Sequence, residues 1–89
     1  MKKITVECAY RVEVILDEAK FDETFMEEFR RDFYPFQTIA DHAEHIAQLQ
    51  ARGIIDLTTG PEFIEGYGFS NDMGITAKVV DSYIDTLDD

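Results

Sequence analysis

Asp41-His42-Ala43-Glu44-His45 is the stretch of this sequence richest in side chains that bind metals or move protons. On a helix, positions three apart lie about 60° apart around the axis, so His42 and His45 can reach one ion. Asp41, one turn before His45, can orient that ring. The wider pattern is missing, because there is no HExxH and no second His or Cys cluster to complete a ligand set. By helical angle His42 borders an apolar stripe, while His45 falls with Asp41 and Arg52 on the polar side. The preferred reading is a packed histidine at the core edge and a second at the surface, with no metal and no cofactor. A small metal- or ligand-binding protein using His42 and His45 is the least favoured alternative.

Three other groupings bear on chemistry. Cys8 sits mid-strand on an apolar face, so a buried structural thiol is expected rather than a nucleophile. The pairs Asp17-Glu18, Asp22-Glu23 and Glu27-Glu28 do not converge on one site, since adjacent helical residues diverge by about 100°. They also lack the Gly-centred pattern of a calcium loop. Gly66-Tyr67-Gly68-Phe69 has no phosphate-loop context and is flanked by Glu65 and Asp72, which repel phosphate. Its two rings have two readings: Tyr67 and Phe69 as exposed interface anchors beside acids, or as rings that cover the core. No catalytic residue emerges, and the expectation is a protein that is not an enzyme.

Nineteen acids against eight bases give a formal charge of −11 in 89 residues. The length fits one domain, 1–89. No apolar run is long enough to span a membrane, and the MKKITVECAY start lacks the apolar core of a signal peptide. A lone cysteine suits a reducing compartment, so a cytoplasmic location is expected. There is no basic patch for a nucleic-acid backbone. An acidic surface repels nucleic acid and anionic membrane but attracts basic protein surfaces. Asp17, Asp22, Glu23, Glu27 and Glu28 form the densest cluster, set against Lys20 alone.

The elements that position these residues read as follows. Ile4, Val6, Cys8, Tyr10, Val12, Val14 and Leu16 alternate with polar neighbours, a strand long enough to require a bend or bulge. Asp22 caps a helix, with Phe21 and Met26 as its hydrophobic staple, and Pro35 stops it near Phe33. Phe25, Met26, Phe29 and Phe33 share its core face, and Glu27 is placed to pair with Arg31. Thr38 with Asp41 caps a second helix whose stripe is Ile39, Ala43, Ile46 and Leu49, ended at Gly53 with Ile54 against Leu49. A short strand is expected over 63–69, weakened by Gly66 and Gly68, then a turn through Ser70-Asn71-Asp72 and Gly74. A last strand runs through Ile75, Ala77, Val79 and Tyr83; Asp81 breaks its alternation, which a bulge or a strand covered on both sides explains, and residues 86–89 are expected to fray. The order β-α-α-β-β predicts an α+β, two-layer fold, with an antiparallel sheet of about three strands and two helices on one face.

FMEEFRRDFYPFQTIADHAEHIAQLQARG (25–53) and the later IEGYG resemble a family of small acidic bacteriophage and prophage proteins of no named activity. The resemblance implies a protein that acts stoichiometrically on host machinery. The expectation is a counter-defence protein of anti-CRISPR or anti-restriction type. It would bind a basic nucleic-acid-binding surface of a host protein through Asp17, Asp22, Glu23, Glu27 and Glu28, with Tyr67 or Phe69 at the rim. The alternative is a structural or assembly module that homodimerises through an exposed sheet edge.

Overall fold

The computed structural model describes residues 1–87. The chain folds as β1 (Val6–Ile15), α1 (Glu23–Asp32), α2 (Ile39–Ala51), β2 (Phe63–Ile64), β3 (Gly68–Phe69) and β4 (Thr76–Thr86), with 3-10 turns at Glu18–Lys20 and Ser70–Met73. The α+β class is as expected, but the strand arrangement differs. There is no three-stranded sheet among the described residues: β1 pairs with β4, and β2 pairs with β3. The expected strand over 63–69 is instead a tight hairpin. Tyr67 N–H donates to the Ile64 carbonyl (2.9 Å), and Gly66 takes φ +91°, which a type II turn demands of its third residue.

Local signals set the helices. The Asp22 carboxylate accepts from Phe25 N–H at 2.9 Å, and Phe21 and Met26 flanking that cap both join the core. α1 ends at Asp32, and Phe33 leaves it with φ −128° and ψ −87°. The Glu27–Arg31 pair does not form; Arg31 pairs with its neighbour Asp32 (3.1 Å) at full exposure, where an ion pair contributes little. α2 opens with both arms of a capping box between Thr38 and Asp41. It closes with Gly53 N–H to the Gln50 carbonyl and Ile54 N–H to the Leu49 carbonyl, which satisfies the last orphan acceptors.

The core is small: Phe21, Phe29, Ile46, Ile55, Ile64, Tyr67, Ile75 and Ala77. α2 sits on the root of the β1–β4 ribbon, where Val12, Val14 and Leu16 are partly buried. α1 reaches the same core through rings, with Phe29 4.7 Å from His42 and 5.0 Å from Tyr67 by centroids. Ser70 is buried and ties the hairpin to its neighbours, since its hydroxyl accepts from Glu62 N–H at 3.0 Å.

The ribbon outruns this core. In its register Val6 faces Thr86, Cys8 faces Ile84 and Tyr10 faces Ser82; Val12 then faces Val79 and Val14 faces Ala77. Val80 is the extra residue at the shift, and this bulge accounts for the broken alternation around Asp81. Residues 1–11 and 79–87 are all exposed. The radius of gyration is 15.8 Å, against about 12 Å for a compact chain of this length. The molecule measures 52 × 27 × 20 Å.

A Cβ at Gly66 would lie 2.7 Å from Phe29 Cε2, whereas one at Gly68 (φ +83°) meets nothing within 4 Å. Both positions carry the positive-φ penalty, so the difference between them reads the close approach. Gly66→Ala is expected to cost roughly 1–3 kcal/mol more than Gly68→Ala in urea denaturation. Equal losses would mean that the hairpin does not press on α1.

Candidate interaction surface

The histidines occupy two different environments. His42 is fully buried among Phe21, Phe25, Phe29, Phe36 and Tyr67, with Phe29 and Phe36 edge-on to its ring. Its Nδ1 lies 2.7 Å from the Tyr67 hydroxyl. Burial pushes the Tyr67 pKa up, so the hydroxyl keeps its proton and can donate to Nδ1 in the Nε2–H tautomer. That arrangement leaves a single orphan, the Nε2 N–H, which has no hydrogen-bond partner and is enclosed by rings. Desolvation pushes the His42 pKa down, with the nearby His45 adding to the shift, and the imidazole is neutral. His45 packs against Tyr34 and Phe36 beside an open cleft of about 400 Å³ lined also by Phe33, Leu49, Ile54 and Phe63. Phe33, expected on the core face, is exposed at that cleft, and so is Ile54, which lines it together with Leu49. No group of three or more His, Cys, Asp or Glu residues is placed to hold a metal ion among the described residues.

Tyr67 is therefore not an interface anchor. It is 6% exposed and committed to His42, so of its two readings the core one is correct. Phe69 is exposed and stands edge-on to Phe63, 5.8 Å away by centroids.

The acids divide by what they do. The carboxylates of Asp17, Asp22, Asp41, Asp56, Glu62 and Asp81 accept backbone N–H groups from Ala19, Phe25, Gln37 with Thr38, Thr58, Asp56 and Ser82 respectively. The backbone bonds from Gln37 and Thr38 hold the Asp41 pKa below the usual carboxylate value. Part of the acidic surplus thus terminates helices and turns. Glu23, Glu27 and Glu28 are exposed on α1 and join no ion pair among the described residues. Of the five acids singled out on the sequence, Asp17 and Asp22 each lend an oxygen to a cap, and only these three glutamates are uncommitted.

The feature that the sequence did not announce is the free end of the ribbon. Cys8 was expected to be buried and is exposed, because the body ends before it. Ile4, Val6, Tyr10, Val79, Val80, Tyr83, Ile84 and Leu87 are exposed there as well, Ile84 by 70%. Ile4, Val6, Cys8, Tyr10 and Ile84 continue the ribbon face that Val12, Val14 and Ala77 present to α2. The core-covering face runs on past its cover. The face is also electrically distinct. Residues 1–15 and 76–87 carry four bases (Lys2, Lys3, Arg11, Lys78) and four acids (Glu7, Glu13, Asp81, Asp85), while residues 16–75 carry thirteen acids and four bases, a net −9. Asp88 and Asp89 carry the remaining two negative charges and lie outside the described residues; the described part of the arm is a neutral, amphipathic two-stranded ribbon on a strongly acidic body. No helix among the described residues is long and apolar enough to cross a membrane.

The depressed His42 pKa has a sign. The unfolded chain binds a proton near the ordinary 6.5 and the folded one only at lower pH, so this contribution to stability is whole above 6.5 and is lost as pH falls from there through the folded value. Melting temperatures at pH 7.5 and 5.5 should fall further for the native chain than for His42→Phe, which keeps a ring but cannot titrate. Equal falls would show that His42 is not held neutral by its cage.

Comparison with family models, with curated proteins and with solved structures finds no match to this chain.

Proposed function

We propose that this protein is a non-enzymatic interaction module that associates with itself through its β1–β4 arm. The observation that carries this reading is the uncovered apolar face of the arm. A two-stranded ribbon alone is marginal in water, and long exposed apolar strands in natural proteins are interfaces or aggregation hazards. Burying one Val, Ile or Leu side chain contributes roughly 1.5–3 kcal/mol, so covering Ile4, Val6 and Ile84 is a substantial driving force. Charge favours the arm as the contact, since two bodies of like sign repel while two neutral arms do not. Sedimentation equilibrium is expected to give twice the monomer mass at micromolar concentration. Val6→Asp with Ile84→Asp should give a monomer with unchanged far-UV circular dichroism. A native chain that stays monomeric at 100 μM would end this reading.

The three unpaired glutamates of α1 favour a second reading. Glu23, Glu27 and Glu28, assisted by the free oxygens of Asp17 and Asp22 and by exposed Phe69, would dock on a basic nucleic-acid-binding surface of a host protein. This is the counter-defence role that the resemblance to small acidic phage proteins implies, in a bacterial cytoplasm. Binding of this kind weakens steeply with salt. Against a basic nuclease captured from bacterial lysate, Glu23→Lys with Glu27→Lys and Glu28→Lys is expected to abolish inhibition. Inhibition that survives the triple reversal would exclude α1 as the docking element.

A further inference from the structure

The two edges of the arm are not equivalent. Leu87 N–H donates to the Thr5 carbonyl at 2.8 Å, and Thr5 and Leu87 are opposite in the register. Antiparallel strands alternate the direction of their peptide groups, so Glu7, Ala9 and Arg11 bond toward β4, while Val6, Cys8 and Tyr10 present N–H and C=O outward. On β4 the outward groups belong to Ser82, Ile84 and Thr86. That edge is obstructed twice, by the bulge at Val80 and by the Asp81 carboxylate, which accepts Ser82 N–H at 2.9 Å. Edge blocking of this kind discourages strand addition. The β1 edge has neither device, and no side-chain hydrogen bond covers it among the described residues.

The polar face of β1 supplies a register. Glu7 lies directly opposite Asp85, a like-charge pair, and among the described residues neither Glu7 nor Arg11 is in an ion pair. Glu13, by contrast, is held by Lys78 at 3.7 Å. Two antiparallel copies of β1 can keep their apolar faces together only if even residues meet even residues. Centring the pairing on Glu7 opposes Glu7 to itself and Lys3 to Arg11. Centring on Cys8 offers Lys3 to Glu13, which is already paired, and leaves Glu7 against Ala9. Centring on Tyr10 sets Glu7 against Glu13. Centring on Thr5 sets Glu7 against Lys3 but lies outside β1 and leaves Arg11 unopposed; of the centres within β1, only Ala9 gives Glu7 a cation, opposing Glu7 to Arg11 of the second copy and Arg11 to its Glu7. The same register places Val6 against Val12 and Cys8 against Tyr10 on the apolar face.

The geometry points to a homodimer formed by antiparallel pairing of β1 with β1 of a second copy, with Ala9 at the two-fold axis and a continuous four-stranded sheet in the order β4-β1-β1-β4. This rests on the self-association reading and specifies its interface. Each copy contributes the same edge, so the contact is isologous and closes at two. The sheet so formed pairs the two open β1 edges and brings Ile4 and Val6 of each copy beside Val14 and Val12 of the other, the part of the face that packs on the core.

Two experiments on the full-length chain test it. In a Cys8→Ser background, Ala9→Cys puts one thiol from each copy in a close, non-hydrogen-bonded pair, within disulfide reach. Mild oxidation should convert most of it to a covalent dimer, while native Cys8, diagonal to its counterpart, should cross-link at least tenfold more slowly. Charge exchange supplies an orthogonal readout. Glu7→Arg alone and Arg11→Glu alone should each raise the dimer Kd at least tenfold, and an equimolar mixture of the two variants should recover native affinity as a heterodimer. A dimer that shows neither residue-9 cross-linking nor recovery in the mixture would overturn β1 edge pairing while leaving self-association intact. A native chain that is monomeric throughout would overturn both.

Discussion

The antiparallel pairing of β1 with β4, the first and last strands described, fixes how much apolar surface this chain can cover for itself. Ten residues of β1 run against eleven of β4, yet α2 seats only on the root of the ribbon. Val12, Val14 and Ala77 are covered; Val6, Cys8 and Ile84 on the same face are not. The bulge at Val80 matters because it resets the side-chain parity of β4. Without it Tyr83 and Asp85 would fall on the apolar face and Ile84 on the polar one. With it, the face that leaves the body stays apolar to its tip.

The charge distribution is the counterpart of that geometry. Carboxylates that cap α1 and α2 and pin the turns around Asp17 and Asp56 are part of the fold, so the −11 total is not all available for recognition. What is left is concentrated on the body. In the proposed association, like-charged bodies repel and contact between copies is confined to the arm. The same body leaves the glutamates of α1 free toward a basic partner, and the two surfaces lie on separate elements of the chain.

Much of the fold is legible in the residues where a signal is local. Asp22 and Thr38 with Asp41 mark helix starts through side-chain bonds to nearby amides, and Gly53 marks an end. The strand period follows from alternation alone, and the pairing of β1 with β4 shows that the break in it around Asp81 is a bulge. His42 belongs to the core because Ile39, His42, Ile46 and Leu49 share the 3-4-3 spacing of one helical face, a signal present in the sequence beside its Asp-His-Glu-His chemistry. The rest is not local. Alternation says which face of a strand is apolar and says nothing about whether a helix lies over it, so Cys8 reads as buried and is exposed. Tyr67 has aromatic and acidic neighbours suited to an interface, and only the approach of α2 from 25 residues away shows that its hydroxyl has a buried partner. Two glycines in 63–69 read as a weakened strand, and the positive φ of Gly66 instead turns the chain back so that β2 pairs with β3.

Amide hydrogen exchange along β1, measured across a dilution series, tests the central claim most directly. The account predicts that Val6, Cys8 and Tyr10, whose N–H groups face away from β4, exchange slowly at high protein concentration and become fast on dilution, while Glu7, Ala9 and Arg11 change far less. Fast exchange at Val6, Cys8 and Tyr10 at every concentration, with no change in their neighbours, would contradict it and leave the arm without a partner of its own kind.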